Sequence, residues 1–188
     1  MEYSESIRQF TPTNQQEETD QQVILDYIQQ YSHNVLLRDN LVAHITSSGF
    51  VMNKERDKVL MVHHNIRGEW AWTGGHADGD SDLLAVAKRE AQEETGVVTV
   101  NALTNTIDTL DILPCLGHWR RGSYVNAHLH LSVGYILICD EHEQIRPQLS
   151  ENTDVKWFPL SYFTDEHYGP LEVYLYNKLI GRALQMGG

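Results

Sequence analysis

Two adjacent glycines, Gly74 and Gly75, stand shortly ahead of a segment, Asp82 to Thr95, that ends in three closely spaced carboxylates. Helical spacing is predicted for this segment. At roughly 100° per residue, Glu90, Glu93 and Glu94 fall within one arc of about 100°. Lys88 and Gln92 lie opposite, where they suit solvent. Leu84, Ala87 and Ala91 form the adjoining apolar flank, and Leu83 and Val86 share the azimuth of the acids one to two turns earlier. A solvated acidic face would put the acids opposite the apolar residues, whereas here they lie beside or in line with them. Like charges this close repel at neutral pH unless a cation sits among them. Clustered carboxylate oxygens on a rigid helix suit hard divalent cations. The glycine doublet ends a strand and permits close backbone approach, so that a carbonyl there can become a further ligand. Arg89 either orients a carboxylate through a forked hydrogen bond or makes a surface pair of small value.

The surrounding pattern is that of a layered α/β (α+β) domain. Val42 to Val51 and Val59 to His63 read as strands joined by the polar turn Asn53 to Lys58. Residues 97–113 and 125–139 are β-rich, Asp154 to Phe158 is a short strand, and Pro170 to Met186 is helical. Gly96 suits the position just past the end of the acidic helix. Upstream, residues 1–18 read as a flexible tail. Thr19 and Gln22 fit the start of an N-terminal helix, with Val23, Ile24, Tyr27, Ile28 and Tyr31 at helical spacing. Residues 19–40 are then helix and linker, and 41–188 the main domain. What covers the apolar stripe stays open: the main domain, or a second subunit of a homodimer.

The formal net charge of −12 argues against a general nucleic-acid binder, which needs a basic footprint. It is compatible with a small phosphorylated substrate if cations screen the site. Cys115 and Cys139 form no closely spaced metal or redox motif. The N-terminus lacks the basic and then apolar regions of a signal peptide. No apolar run approaches the ~20 residues that span a bilayer, so no membrane contact and a cytoplasmic setting are expected.

Gly75, Arg89, Glu90, Glu93, Glu94, Gly96 and Val97 stand in the register of the pattern G-x5-E-x7-R-E-U-x-E-E-x-G-U, with Ala91 a small stand-in for the aliphatic position U. The run therefore resembles the signature of the Nudix hydrolases. The resemblance implies a Nudix fold, a mixed β-sheet sandwiched between helices, here with an N-terminal helical extension. It also implies hydrolysis of a phosphoanhydride bond in a nucleoside diphosphate linked to another moiety, such as a nucleoside triphosphate or ADP-ribose. Glu90, Glu93 and Glu94, with the Gly75 carbonyl, would bind Mg²⁺ (or Mn²⁺). Glu151, six residues before Trp157, matches a further acid that the family often supplies from a later loop. The water's proton would pass to Glu90, Glu94 or Glu151. Two departures stand out. Ser81 replaces the first glutamate of the pattern, which in the family often pairs with the arginine, although Asp80 and Asp82 flank it. Thr73 stands where the family often has proline.

Other residues leave two readings each. Trp70 and Trp72 alternate onto one strand face, to stack on a base or to pack in the core. Trp119, Arg120, Arg121 and Tyr124 could grip a phosphate and stack a base, or form a solvated loop. His128 and His130 share a strand face and, with His76, either line the pocket and contact substrate or metal, or are structural. No coenzyme A motif is present, and Pro114 does not secure a substrate subclass. Two rival functions remain. One is a nucleotide sensor without turnover, which Ser81 makes thinkable. The other is an isopentenyl-diphosphate isomerase-like enzyme, which needs a histidine-rich metal site and a cysteine nucleophile, for which Cys115 is the candidate.

Overall fold

The computed structural model describes residues 2–120 and 122–186, Arg120 by its backbone alone. In chain order the elements are α1 (Tyr3–Gln9), α2 (Gln15–Tyr31), β1 (Ala43–Met52), β2 (Lys58–His64), β3 (Trp70–Ala71), β4 (Thr73–His76), α3 (Leu83–Thr95), β5 (Asn101–Ala102), β6 (Thr109–Cys115), β7 (His118–Arg120), β8 (Ser123–Val125), β9 (His128–Ile138), β10 (Asn152–Pro159) and α4 (Pro170–Gln185). The main sheet runs β10-β2-β1-β9-β5, with β3 beside β2, β4 beside β1 and β6 beside β9. It is mixed because β1 and β9 run parallel, in register from Ala43↔Leu129 to Met52↔Ile138, while the other pairs are antiparallel.

Strand alternation divides the core into two layers. Ile45 and Val51 of β1 join a cluster with Ala87 and Ala91 of α3 and Ile24 and Ile28 of α2. Phe50 and Met52 join another with Tyr176, Leu179, Ile180 and Ala183 of α4. A mixed sheet between helices is therefore the observed architecture, as expected. Helix α3 begins at Asp82, whose carboxylate accepts from the Ala85 amide at 3.0 Å. It ends at Gly96, whose φ of 75° few residues with a Cβ adopt.

The N-terminal segment departs from expectation. Residues 3–9 form α1 rather than a loose tail, and Tyr3, Ile7 and Phe10 are buried in the core. Helix α2 begins at Gln15, not Thr19. Asn14 caps it, its side chain accepting from the Glu17 amide at 2.9 Å. The stripe Ile24 and Ile28 packs on this chain's own core, so it does not call for a second subunit. Among the described residues, no helix is long and apolar enough to cross a membrane.

A buried ion network ties this N-terminal segment to α4. Glu17 is fully buried, and its carboxylate accepts from the Thr13 amide at 3.0 Å and from Arg182 at 2.9 Å, with Lys178 at 3.2 Å. Lys178 also reaches Asp111 of β6. Burial works to raise the Glu17 pKa, but the Thr13 amide and the charges of Lys178 and Arg182 outweigh it and hold the carboxyl below its usual range. Glu17→Ala leaves two buried cations short of a partner and should lower stability by about 3–5 kcal/mol in urea denaturation. Because the folded pKa is depressed, Glu17 contributes stability above its ordinary value of 4.5, and that contribution is lost as pH falls through the folded value. The wild type should show this acid-side loss, and Glu17→Ala should lack it.

Candidate metal and catalytic site

Strand β4 is laid against β1 by the pairs Ser47↔Gly75 and Ser48↔Gly74, and α3 packs over both strands. The Ser47 hydroxyl donates to the Leu83 carbonyl at 2.6 Å, which fixes the first turn of α3 on the sheet. At Gly75 an added Cβ would collide with the Glu90 carboxylate, so the present placement of that carboxylate against β4 depends on the glycine. The Gly74 amide donates to the Glu94 carboxylate at 3.1 Å.

The three helix acids differ in burial. Glu94 is 5% exposed, Glu90 is half-buried and Glu93 faces solvent. Burial pushes the Glu94 carboxyl up to about 8, against the Gly74 amide and with added repulsion from Glu90 and Glu151. Glu90 is also raised, first by burial and then by the Glu93 charge. Glu151 is partly buried in the turn before β10, and its backbone carbonyl accepts from Asn65 at 2.9 Å. Its charge is felt at both Glu90 and Glu94, so the loop acid converges on the helix acids. The buried Asn152 side chain bonds the Glu94 carbonyl at 3.1 Å and pins this loop to the helix end.

Arg89 lies 3.3 Å from Asp80 and 3.8 Å from Glu90. Asp80 thus reaches the arginine despite Ser81, which is exposed. Asp82, on the other flank, is occupied as the cap of α3. The two aspartates separate on stability. Asp82→Ala removes a cap and should cost about 1 kcal/mol. Asp80→Ala removes a half-exposed ion pair and an exposed bond from the Asp82 amide at 3.0 Å, and should cost less than the loss of the cap in the same denaturation assay.

On the opposite face of the same strands stands a group of histidines. His76 follows Gly75 on β4 and joins His128 and His130 of β9. A fourth member, His44 of β1, was not expected from the sequence. Burial lowers the His44 pKa, and burial together with neighbouring cationic groups takes His76 and His130 down to about 3. Arg38, also unforeseen, sits between the two groups. It pairs with Asp78 at 2.7 Å, and its charge is felt at His44 and His76 on one side and at Glu90 on the other.

The remaining expected residues lie elsewhere in the packing. Trp70 packs on Phe158, their ring centroids 4.8 Å apart, and Trp72 on Tyr176 at 5.2 Å, both against the α4-side core. Trp119 and Tyr124 face each other across the exposed β7–β8 hairpin, with centroids 5.7 Å apart. Arg121 and the side chain of Arg120 lie outside the described residues.

The chain belongs to the NUDIX domain family, whose family model matches residues 43–175. Its fold is similar to that of a NUDIX-family hydrolase from Clostridium perfringens, at 22% identity and a TM-score of 0.53 over 73% of this chain and 96% of that one. It is also similar to a C. elegans Ap4A hydrolase, at 14% identity and a TM-score of 0.56 over 75% and 98%. An E. coli dihydroneopterin triphosphate pyrophosphohydrolase aligns at 13% identity and a TM-score of 0.53 over 72% and 94%. A comparison with curated proteins gives no match.

Proposed function

We propose that this protein is a Mg²⁺- or Mn²⁺-dependent hydrolase of a phosphoanhydride bond in a nucleoside diphosphate linked to another moiety. The observation that carries the reading is the buried Glu94 carboxylate, crowded by Glu90 and Glu151 and answered by one backbone amide. Carboxylates gathered this way repel one another unless a cation joins them. The donors are oxygens, which fits a hard divalent ion. Glu90, Glu93, Glu94 and Glu151 would hold it, with the Gly75 carbonyl as a further ligand. Such an ion lowers the pKa of bound water and stabilises charge on the attacking and leaving oxygens.

The chain's own part is positional. Water attacks phosphorus and the anhydride P–O bond breaks, its electrons leaving on the departing phosphate. The water's proton passes to Glu90, Glu94 or Glu151; burial raises the pKa of Glu90 and of Glu94, which suits them to take it. Arg89, held by Asp80, orients Glu90. His76, His128 and His130, together with the Arg120–Arg121 pair, are proposed to meet the substrate, as are Trp70 and Trp72 at the edge of the aromatic core. Two of the similar structures are of an Ap4A hydrolase and a dihydroneopterin triphosphate pyrophosphohydrolase, whose substrates are polyphosphates of this chemical kind.

The isomerase alternative needs a histidine-rich metal site, for which His44, His76, His128 and His130 stand together, and in addition a poised thiolate. Both cysteines are free, but burial raises the Cys115 thiol, and burial with neighbouring carboxylates pushes Cys139 up to about 12. Neither is activated.

Release of phosphate or nucleoside monophosphate should be measured on nucleoside triphosphates, ADP-ribose, nucleotide sugars, dinucleoside polyphosphates and coenzyme A, with and without chelator. Metal-dependent release from one class is expected. Tight nucleotide binding without release would replace the hydrolase by a sensor. Glu94→Gln should remove most turnover, a loss of roughly 100-fold or more in kcat, with far-UV circular dichroism unchanged. Wild-type turnover by that variant would overturn the assignment of the acids. Because Asp80 already reaches Arg89, Ser81→Glu should leave kcat equal or raised, and a sharp fall would give Ser81 a role of its own.

A further inference from the structure

We infer that His44, His76, His128 and His130 form a second metal site, one for a borderline transition ion of the Zn²⁺ class, separate from the oxygen-donor site of the acids. One ligand nitrogen from each ring lies within 4.8 Å of all the others. The sheet builds this arrangement. His128 and His130 share one face of β9, His44 is the parallel partner of His130, and His76 is the partner of Thr46, one pleat along from His44. The ring centroids are 4.8 to 5.5 Å apart for His44 with its three companions.

Backbone carbonyls decide which nitrogens are available. Nδ1 of His44 lies 3.0 Å from the Asn40 carbonyl, and Nδ1 of His128 lies 2.8 Å from the Asn126 carbonyl. A carbonyl only accepts, so each Nδ1 carries the hydrogen. In the neutral ring Nε2 is then a bare lone pair. Orientation of a histidine by such a carbonyl is the usual support behind a metal ligand. His44 is 4% exposed, and its Nε2 has no hydrogen-bond partner. An orphaned acceptor this deep carries a desolvation cost that a bound ion removes.

The remaining contact is sharper. His128 Nε2 and His130 Nε2 approach to 3.1 Å. A tetrahedral ion with Zn–N bonds of about 2.0–2.1 Å sets neighbouring nitrogens about 3.3 Å apart, so this pair already has nearly that spacing. The nitrogens of His44 and His76 lie within 4.8 Å of this pair, so a tetrahedral shell needs only small side-chain shifts. Four imidazoles without a carboxylate select Zn²⁺, Cu²⁺ or Ni²⁺ over Mg²⁺. His76, His128 and His130 are partly exposed, which leaves a way in. Three of these four, His76, His128 and His130, also stand in the hydrolase reading as substrate contacts, a direct role that an ion bound there would replace. None is among the acids, and the test reads metal binding rather than turnover, so either assignment can fail without the other.

The test uses the full chain, stripped with chelator and titrated with Co²⁺ in excess Mg²⁺. The expected result is one Co²⁺ per chain with the intense visible bands of a tetrahedral nitrogen site, displaced by Zn²⁺. The double variant His128→Ala with His130→Ala should weaken Co²⁺ binding by more than the roughly 10–100-fold that loss of an orienting group costs. No Co²⁺ binding above excess Mg²⁺, the weak bands of an octahedral oxygen site, or full affinity in the folded variant would each overturn the site. Should the variant not fold, zinc-edge X-ray absorption on the wild type decides. Outer-shell scattering from three or more imidazoles supports the site, and an oxygen-only shell rejects it.

Discussion

Helix α3 and β1 both lie close to β4 where residues 74 and 75 carry no side chain. A Cβ at Gly75 would occupy the present place of the Glu90 carboxylate of α3, and one at Gly74 would press on the Ser47 and Ser48 backbone of β1. From that approach follows the Gly74–Glu94 bond, and from that bond the burial of an acid that a surface helix would turn to water. The loop acid Glu151 then has a fixed target, because Asn152 ties the loop to the same helix end. The site is thus a consequence of backbone contact more than of side-chain affinity.

The cost of this arrangement is electrostatic, and it is met locally. Arg38 and Arg89 stand at the margins of the acids, each engaged by an aspartate, Asp78 and Asp80. Held in this way they lower the Glu90 pKa in part without neutralising it. Full pairing of Glu90 or Glu94 with an arginine would cancel the negative charge that these acids present. The exposed loss of the family's first glutamate at Ser81 is absorbed at the same margin, since Asp80 reaches the arginine from one residue earlier.

What the sequence made legible were features that local spacing determines. Asp82 and Gly96 bound the acidic helix at both ends, and the placing of the three acids on one arc beside the apolar flank follows from helical spacing, while their order of burial, Glu94, Glu90, Glu93, came only with the structure. The N-terminus was misread because α1 has only seven residues. A helix that short is not stable by propensity. It exists because Tyr3, Ile7 and Phe10 find a distant core, and because Glu17 finds Lys178 and Arg182 more than 150 positions along the chain. His44 and Arg38 were missed for a related reason. The parallel register of β1 on β9 places His44 beside His130, and nothing local to either strand encodes that pairing.

Strand β4 gives the two donor sets their relation. Consecutive residues of a strand face opposite sides of a sheet. Gly75 opens toward the glutamates of α3, and His76, the next residue, turns to the imidazoles of β1 and β9. One peptide unit therefore separates a surface of oxygen donors from a surface of nitrogen donors, with Arg38 in electrostatic reach of both. Hard ions prefer the first and borderline ions the second. The sheet keeps the two sets from merging into one mixed site, because moving a histidine among the acids would require a one-residue slip of β4. Such a slip would put a side chain where Gly75 must have none, and the contact with α3 would be lost.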